Sequence, residues 1–281
     1  MEKWVLLVRC PRCGSMDAES VEAIHIEFDR MRCGTCGHEQ VCDEHQIKDE
    51  WNELVSADFV PHQAYLLPDV RFQDLWRALG AKGHARDVFL RLRASYDEPH
   101  RAYHTARHIG ACLRLLDEPS VKALATNLSE VEAAIWFHDA IYDTHASDNE
   151  ERSAQLAEES LRSADVPADV VTRIAEHVCA TKAHVAASSD GQLVIDVDLS
   201  ILGEDPQTFA RFEEEIRREY HWVDAAAYAA GRAHVLRRLS ERPFLYGTAL
   251  FRERYEAQAR ENIARSLHLL ATSSGDNDDR G

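Results

Sequence analysis

The sequence predicts an all-α protein from residue 69 onward, preceded by a small cysteine-bearing segment with short β-strands. Apolar residues in the long C-terminal part recur three and four positions apart, as they do on one face of a helix. Asp-Pro, Glu-Pro and Val-Pro steps separate these periodic stretches and mark helix boundaries. No alternating pattern longer than a few residues occurs there, whereas residues 21–28 alternate as in a short strand.

The composition is typical of a soluble globular protein. The 281 residues are 45% hydrophobic and 29% charged, with a formal net charge of −17. This charge argues against nucleic acid or an anionic membrane surface as the main partner. No apolar run approaches membrane-spanning length, and residues 4–8 are too short for a signal peptide. We therefore expect a cytoplasmic protein with reduced thiols.

Four cysteines near the N-terminus form two Cys-x-x-Cys pairs. Cys10 pairs with Cys13 and Cys33 with Cys36, and nineteen residues separate the two pairs. Each pair lets two thiolates turn toward one ion, so this spacing predicts a zinc ribbon with a closed, structural site. The ribbon region carries more acids than bases, which favours a structural role or a protein partner over nucleic acid.

The composition also predicts the domain boundaries. The ribbon occupies residues 1–45, and a linker with a short helix and two prolines follows at residues 46–68. The helical domain spans residues 69–271, and the polar, acidic residues 272–281 are expected to be a disordered tail.

An apolar segment at residues 133–143 carries His138 and Asp139 side by side. Ser129 and Glu132 have the spacing of a capping box, which predicts a helix start there and places His138 on the buried face. Buried His and Asp side chains need partners. Protein neighbours satisfy most such groups, but a single metal ion would satisfy both at once.

Two further histidines lie upstream, on a helix expected to follow Pro99. His104 and His108 are four residues apart, so both are expected on one flank of its apolar stripe. Exposed histidines at this spacing are often accidental. Two histidines beside an apolar stripe, in a chain that also contains His138 and Asp139, favour a common site.

Downstream residues also take inward positions. Glu150 is expected to face inward on a helix capped by Asp148, although a solvated acidic first turn would explain the same residues. His177 and His184 align along one side of the next helix, with Lys182 beside them. These residues are therefore candidates for the same site.

The orientation of the two carboxylates in residues 194–199 depends on the local secondary structure. A strand would put Asp196 and Asp198 on one face, whereas a helix buries Asp198 and points Asp196 away. The helical surroundings favour Asp198. Asp205, before Pro206, and Asp224 predict the starts of two later helices.

The order of His108, His138-Asp139 and Asp198 resembles that of the HD-domain phosphohydrolase superfamily, all-helical enzymes that hold one or two divalent metals. The resemblance covers about residues 70–270 and points to a branch of predicted HD phosphohydrolases of unassigned substrate. The matching motifs are R-x-Y-H-x-x-x-H-I at 101–109, F-H-D-x-x-Y-D at 137–143, D-N-E-E-x-S-A at 148–154, A-T-K-x-H at 180–184 and D-x-D-L-x-I-L-G at 196–203. Residues 1–45 lie outside this pattern.

The resemblance implies a metal-dependent hydrolase of a small phosphate ester such as a nucleotide, which acts through a metal-activated water. The implied ligands are His108, His138, Asp139 and Asp198, with His177 or His184 completing a second metal site. Imidazole and carboxylate ligands suit Mn, Fe, Co, Ni or Zn, and Mg is also acceptable.

Further roles follow from the same resemblance. The Y-H-x-x-x-H spacing is similar to that of the cyclic-nucleotide phosphodiesterases, which implies that His104 is a general acid; alternatively, His104 only hydrogen-bonds a nearby carboxylate. Glu150 joins His104 and Asp139 as a candidate catalytic residue. Candidate phosphate-binding residues, each equally able to form a surface ion pair, are Arg101, Lys182, Arg217 and Arg232.

Two other functions fit the same residues. One is a nucleotide-sensing or scaffolding module whose ribbon docks a protein partner, but the full set of ligand-type residues favours the enzyme. The other is a di-iron oxygenase on the same fold, which needs the additional histidines His177 and His184.

Overall fold

The computed structural model describes the backbone of residues 18–25, 28–33, 39–43, 67, 69–83 and 85–275, and the side chains of residues 67, 69–83 and 85–272. The chain divides into two units, residues 1–66 and 67–281. The four-part division into ribbon, linker, helical domain and tail stays a prediction.

The first unit contains a three-stranded antiparallel sheet. Its strands are β1 (Ala18–His25), β2 (Phe28–Cys33) and β3 (Glu39–Asp43), in the spatial order β1-β2-β3. Cys10, Cys13 and Cys36 lie outside the described residues, as does the side chain at position 33. The zinc ribbon therefore stays a prediction.

The second unit is helical, and residues 67–272 contain no strand among those described, which confirms the all-α expectation for this part. Its helices are α1 (Asp69–Ala78), α2 (Ala85–Tyr96), α3 (Ala106–Leu116), α4 (Pro119–Lys122), α5 (Leu128–Phe137), α6 (Asn149–Ser163), α7 (Ala168–Ala183), α8 (Ser189–Asp198), a 3₁₀ turn (Leu199–Gly203), α9 (Pro206–Glu219), α10 (Ala225–Ser240) and α11 (Ala249–Gly275). None of the helices in the described part of the chain combines the length and apolarity needed to cross a membrane.

Helix α5 lies at the centre of this unit because it is apolar on nearly all sides. It packs against α7 and α8, and the residues from Ala133 to Phe137 are all at most 1% exposed. The Trp136 ring meets Phe72 edge to face at a centroid distance of 5.0 Å and Phe89 at 6.1 Å. This aromatic cluster joins α1 and α2 to the helix that leads into the His138-Asp139 pair.

The limits of α5 differ from the prediction. The helix begins at Leu128 without a side-chain cap, and Glu132 pairs with Arg71 at 2.7 Å, so the expected capping box is wrong. It ends at Phe137, so His138 and Asp139 lie in the turn that follows, not within the helix. The buried apolar segment therefore positions both residues at its end.

Other helix starts give a mixed outcome. The side chains of Asp205 and Asp224 accept hydrogen bonds from backbone N–H groups in the first turns of α9 and α10, as predicted. Asp148 directly precedes α6 at the predicted N-cap position, but its side chain makes no capping hydrogen bond. The two confirmed caps help to fix the helices that form one wall of the cavity described below.

Candidate metal centre

Three elements that are far apart in sequence bring the candidate ligands together. His108 lies on α3, His138 and Asp139 follow α5, and Asp198 is the last residue of α8. His108, His138 and Asp198 each offer one ligand atom, and all three atoms lie within 4.8 Å of one another. The structure therefore contains a group able to hold a metal ion.

The distances between the ligand atoms are short and similar. His108 Nε2 lies 3.2 Å from His138 Nε2 and 3.1 Å from Asp198 Oδ1. Asp139 Oδ2 lies 3.0 Å from His138 Nε2 and 3.5 Å from His108 Nε2, so it flanks the same two imidazoles. A metal with ligands about 2.1 Å away holds neighbouring ligand atoms about 3.0–3.4 Å apart, which matches these distances.

The hydrogen bond of His138 shows which ring nitrogen is available. Its Nδ1 lies 3.0 Å from the carbonyl oxygen of Ile135, and a carbonyl only accepts, so Nδ1 carries the proton. In a neutral ring, Nε2 then presents a lone pair to the carboxylate oxygens of Asp139 and Asp198 and to His108. Lone pairs that converge in this way need either protons or a cation between them, so these residues fit a divalent metal.

The close approach of imidazoles and carboxylates also shifts the pKa values of His138, Asp139 and Asp198. Burial lowers the pKa of His138, but the carboxylates of Asp139 and Asp198 outweigh it and hold that pKa well above its ordinary value. Burial raises the pKa values of Asp139 and Asp198, and the neighbouring imidazoles shift both below their usual range. The two carboxylates thus favour a positive charge beside them, and either protons or a metal ion can supply that charge.

His104 does not lie on the helix predicted for it. Residues 101–105 precede α3, which begins at Ala106 with Thr105 as its N-cap, so His104 and His108 are not on one helical flank. The cause is Glu219, whose Oε1 accepts hydrogen bonds from three consecutive backbone N–H groups, those of Ala102, Tyr103 and His104, at 2.7–2.9 Å. This tertiary contact outweighs the local helical pattern.

Glu219 also binds the His104 side chain. The fully buried Oε2 accepts a hydrogen bond from His104 Nδ1 at 2.7 Å and another from the Tyr142 hydroxyl at 2.8 Å. Burial lowers the pKa of His104, but Asp139, Glu219 and Asp198 outweigh it and raise that pKa above its ordinary value. His104 is therefore held with Nδ1 on a carboxylate, while its side chain also lines the cavity.

A cavity of about 330 Å³ opens onto the centre. Its lining contains His138, Asp139 and Asp198. The other predicted site residues on this lining are His104, Glu150, Lys182, His184 and Arg232. Among these residues, His184 lies beside the candidate ligand Asp198, with its Nε2 3.8 Å from Asp198 Oδ2.

The conformation of His184 is unusual for a residue with a side chain. Its φ of +50° is left-handed, and it ends α7. Arg242 donates hydrogen bonds to the backbone carbonyls of Ala183 and His184, which satisfies the end of the helix and holds this turn. The imidazole is thereby presented to Asp198, so His184 is the one of the two predicted second-site histidines that reaches the centre.

Two other predicted residues, His177 and Arg217, lie in different environments. His177 is buried beside Gly191, where an added Cβ would lie 3.0 Å from its Nδ1. Arg217 donates to the carbonyls of Tyr220 and Val223, beyond the end of α9. Neither residue belongs to the described cavity lining.

Arg101 also differs from its prediction as a phosphate clamp. Its guanidinium donates to the carbonyls of His104, Asp139 and Ala140 and to the carboxylate of Glu98, and it is buried. All three nitrogens are thus engaged within the protein. Arg101 instead ties the segment that carries His104 to the turn that carries Asp139.

The choice between the two aspartates of α8 is resolved by the fold. Residues 189–198 are helical, and Asp198 joins the ligand group as predicted. Asp196 does point elsewhere, but it is fully buried: its carboxylate accepts the backbone N–H groups of Gly247 and Thr248 at 2.7 Å, just before α11. Helix α8 therefore carries both a candidate metal ligand, Asp198, and a carboxylate that binds the backbone at the start of α11, Asp196.

Paired isosteric substitutions test this division of roles. Asp198→Asn is expected to weaken Mn²⁺ binding at least tenfold, because it removes a charged ligand. Asp196→Asn is expected to keep Mn²⁺ binding and to lower the free energy of unfolding by about 1–2 kcal/mol, because the charge at the start of α11 is lost. Calorimetric Mn²⁺ titration and urea unfolding measure the two effects, and the opposite pattern would reverse the assignment.

No family model, curated protein or solved structure matches this chain. The site therefore stands on its own geometry, which is compatible with an HD-type metal centre. Sequence patterns did not single out Glu219 or the structural role of Arg101. Glu219 lies in the segment I-R-R-E-Y at residues 216–220, and nothing in that segment indicates a contact with residues 102–104.

Proposed function

We propose that the protein is a metal-dependent phosphohydrolase that acts on a small phosphate ester. The observation that carries the proposal is the convergence of His108, His138 and Asp198, flanked by Asp139, on one side of a cavity of about 330 Å³. A divalent metal bound there supplies Lewis acidity for a phosphoryl oxygen and lowers the pKa of a water molecule.

His104 is the proposed proton donor. Its Nδ1 is bound to Glu219, which leaves Nε2 as the nitrogen able to serve a leaving oxygen in the cavity. Burial lowers its pKa, but the carboxylates of Asp139, Glu219 and Asp198 outweigh burial and raise it, which is the direction that favours a general acid. Among these carboxylates Glu219 is not a candidate metal ligand, and its hydrogen bond to Nδ1 orients the His104 ring.

Other residues of the cavity bind and orient the ester. His184 lies beside Asp198 and can donate a hydrogen bond to a phosphoryl oxygen. Lys182 is exposed and paired with Glu151 at 2.5 Å, and an exposed pair of this kind exchanges partners at small cost. Arg101 holds the backbone of His104 and Asp139 together, so the proton donor and the ligand group keep a fixed separation.

Phosphate release on addition of metal tests the proposal. The chelator-treated protein is expected to hydrolyse phosphomonoesters only after Mn²⁺ or a similar ion is restored. Asp139→Ala is expected to abolish metal binding at the helical site and turnover, with helical content largely unchanged. The exposed Asp87→Ala on α2 serves as a matched control and is expected to behave as wild type. Undiminished turnover in Asp139→Ala would rule out Asp139 as a ligand.

A further inference from the structure

The cavity at the metal centre has a second wall to which the proposed chemistry assigns no role. It comes from the 3₁₀ turn after Asp198 and from α9 and α10. Most of its lining is apolar, including Leu202, Phe212, Ile216, Val235 and Leu239. Val235 is 46% exposed, which is unusual for a valine packed in a core but fits a side chain that faces a cavity.

The polar groups of this wall are already bound within the protein. Arg232 pairs with Glu213 and its guanidinium lies 5.2 Å from the centre of the Phe212 ring. Tyr220 is hydrogen-bonded to Tyr142. A base or sugar with several donors and acceptors would leave them unpaired against such a wall, which is costly, whereas a hydrocarbon group would lose nothing.

The charges around the cavity suit a single phosphoryl group. Among the described lining residues the Lys and Arg side chains are Lys182 and Arg232, and each is paired with a glutamate, Glu151 and Glu213. Glu150 adds an unpaired acid to the same lining. A second or third phosphoryl group would find no additional cation there and would meet this carboxylate instead.

We infer that the site takes the monophosphate ester of a small apolar alcohol, alkyl or aryl, in preference to a nucleotide. This inference rests on the proposed function, because it assumes that the phosphoryl group binds at the metal centre. Hydrolysis would break the P–O bond to the alcohol and form a P–O bond to the oxygen of water. The alcohol would leave with a proton from His104, inorganic phosphate would remain, and the proton lost by the attacking water would restore His104. The cavity volume of about 330 Å³ is at the small end of ligand sites and fits such an ester.

Alkylphosphonates, which cannot be hydrolysed at the P–C bond, provide the test. Full-length protein loaded with Mn²⁺ is titrated calorimetrically with ethyl-, butyl- and hexylphosphonate and with adenosine 5′-monophosphate. We expect the affinity to rise about threefold for each added methylene, and hexylphosphonate to bind more tightly than the nucleotide. Equal affinity for the three phosphonates, or tightest binding of the nucleotide, would overturn the inference.

Matched variants locate the effect on the second wall. Val235→Ser is expected to weaken hexylphosphonate binding about threefold or more and to leave ethylphosphonate binding unchanged. Leu90→Ser is the control, because Leu90 on α2 is also 46% exposed and lies outside the described lining. Equal effects of the two variants would contradict the assignment of the wall.

Hydrolysis assays separate this inference from the proposed function. Chain-length-dependent phosphonate binding without hydrolysis of hexyl phosphate would refute the phosphohydrolase and support the apolar ligand. Efficient hydrolysis of nucleoside monophosphates in preference to hexyl phosphate would support the phosphohydrolase and refute the apolar ligand.

Discussion

His108→Ala is expected to lose both the metal ion of the helical unit and turnover, whereas His104→Ala loses turnover alone. The reason is geometric: His108 Nε2 lies 3.1 Å from Asp198 Oδ1 and 3.2 Å from His138 Nε2, while His104 is bound through Nδ1 to Glu219. A general acid contributes roughly 10²–10⁴-fold to a rate, so His104→Ala should lower turnover by about that factor on an alkyl ester.

The leaving group distinguishes a proton donor from a structural histidine. An ester such as p-nitrophenyl phosphate needs no proton on its leaving oxygen, so His104→Ala should be least impaired on this substrate. Mn²⁺ titration of each variant measures metal binding, and steady-state assays on the two esters measure the leaving-group effect. Metal loss in His104→Ala with metal retained in His108→Ala would show that the two roles are reversed.

Glu219→Ala is expected to have the largest effect on stability. The carboxylate is fully buried and accepts hydrogen bonds from three backbone N–H groups, from His104 and from Tyr142, so its removal leaves these donors without an acceptor. Leaving such a buried network incomplete costs about 3–5 kcal/mol in the free energy of unfolding. Urea unfolding measures this loss, and the exposed Glu214→Ala on the same helix is the control.

The pH dependence of stability gives a second measurement on the same residue. Burial raises the pKa of Glu219, but the hydrogen bond with His104 and the charge of His104 outweigh it and lower that pKa to about 2. A lowered carboxyl pKa contributes stability above the unfolded-state value near 4.5, and this stability is lost as the pH falls toward 2. Glu219→Gln should therefore remove about 3 kcal/mol of acid sensitivity between pH 5 and pH 2. If Glu219→Gln loses as much stability between pH 5 and pH 2 as wild type does, this account of the His104 contact is contradicted.

The ligand group was predictable because its members belong to strong local patterns. His138 and Asp139 follow an apolar run, and Asp198 is the last residue of a short helix. The spacing of apolar and polar residues over a few positions can be read directly from the sequence. The same patterns located the helical unit, although the observed limits of α5 differ from the predicted ones. Apolar periodicity indicates which face of a helix is buried more reliably than it indicates where the helix ends.

The surroundings of the ligand group depend on contacts that no local pattern records. Glu219 meets residues 102–104 across more than a hundred residues of chain, and this contact turns a predicted helix into an irregular segment. Similarly, Arg101 was predicted to bind phosphate, but it donates hydrogen bonds to the backbone carbonyls of Asp139 and Ala140. Such contacts arise only once the helices have assembled, so the positions of the proton donor and its carboxylate partner needed the structure.

Mn²⁺ titration of the chelator-treated protein tests the metal centre most directly, because the thiolate site predicted for the N-terminal segment would prefer softer metals. Wild type and the exposed His145→Ala control are expected to bind one Mn²⁺ ion with the same affinity, or two if His184 completes a second site. His138→Ala is expected to lose that binding, because it removes the imidazole whose Nε2 faces Asp139 and Asp198. Mn²⁺ binding by His138→Ala equal to that of wild type would contradict the metal centre.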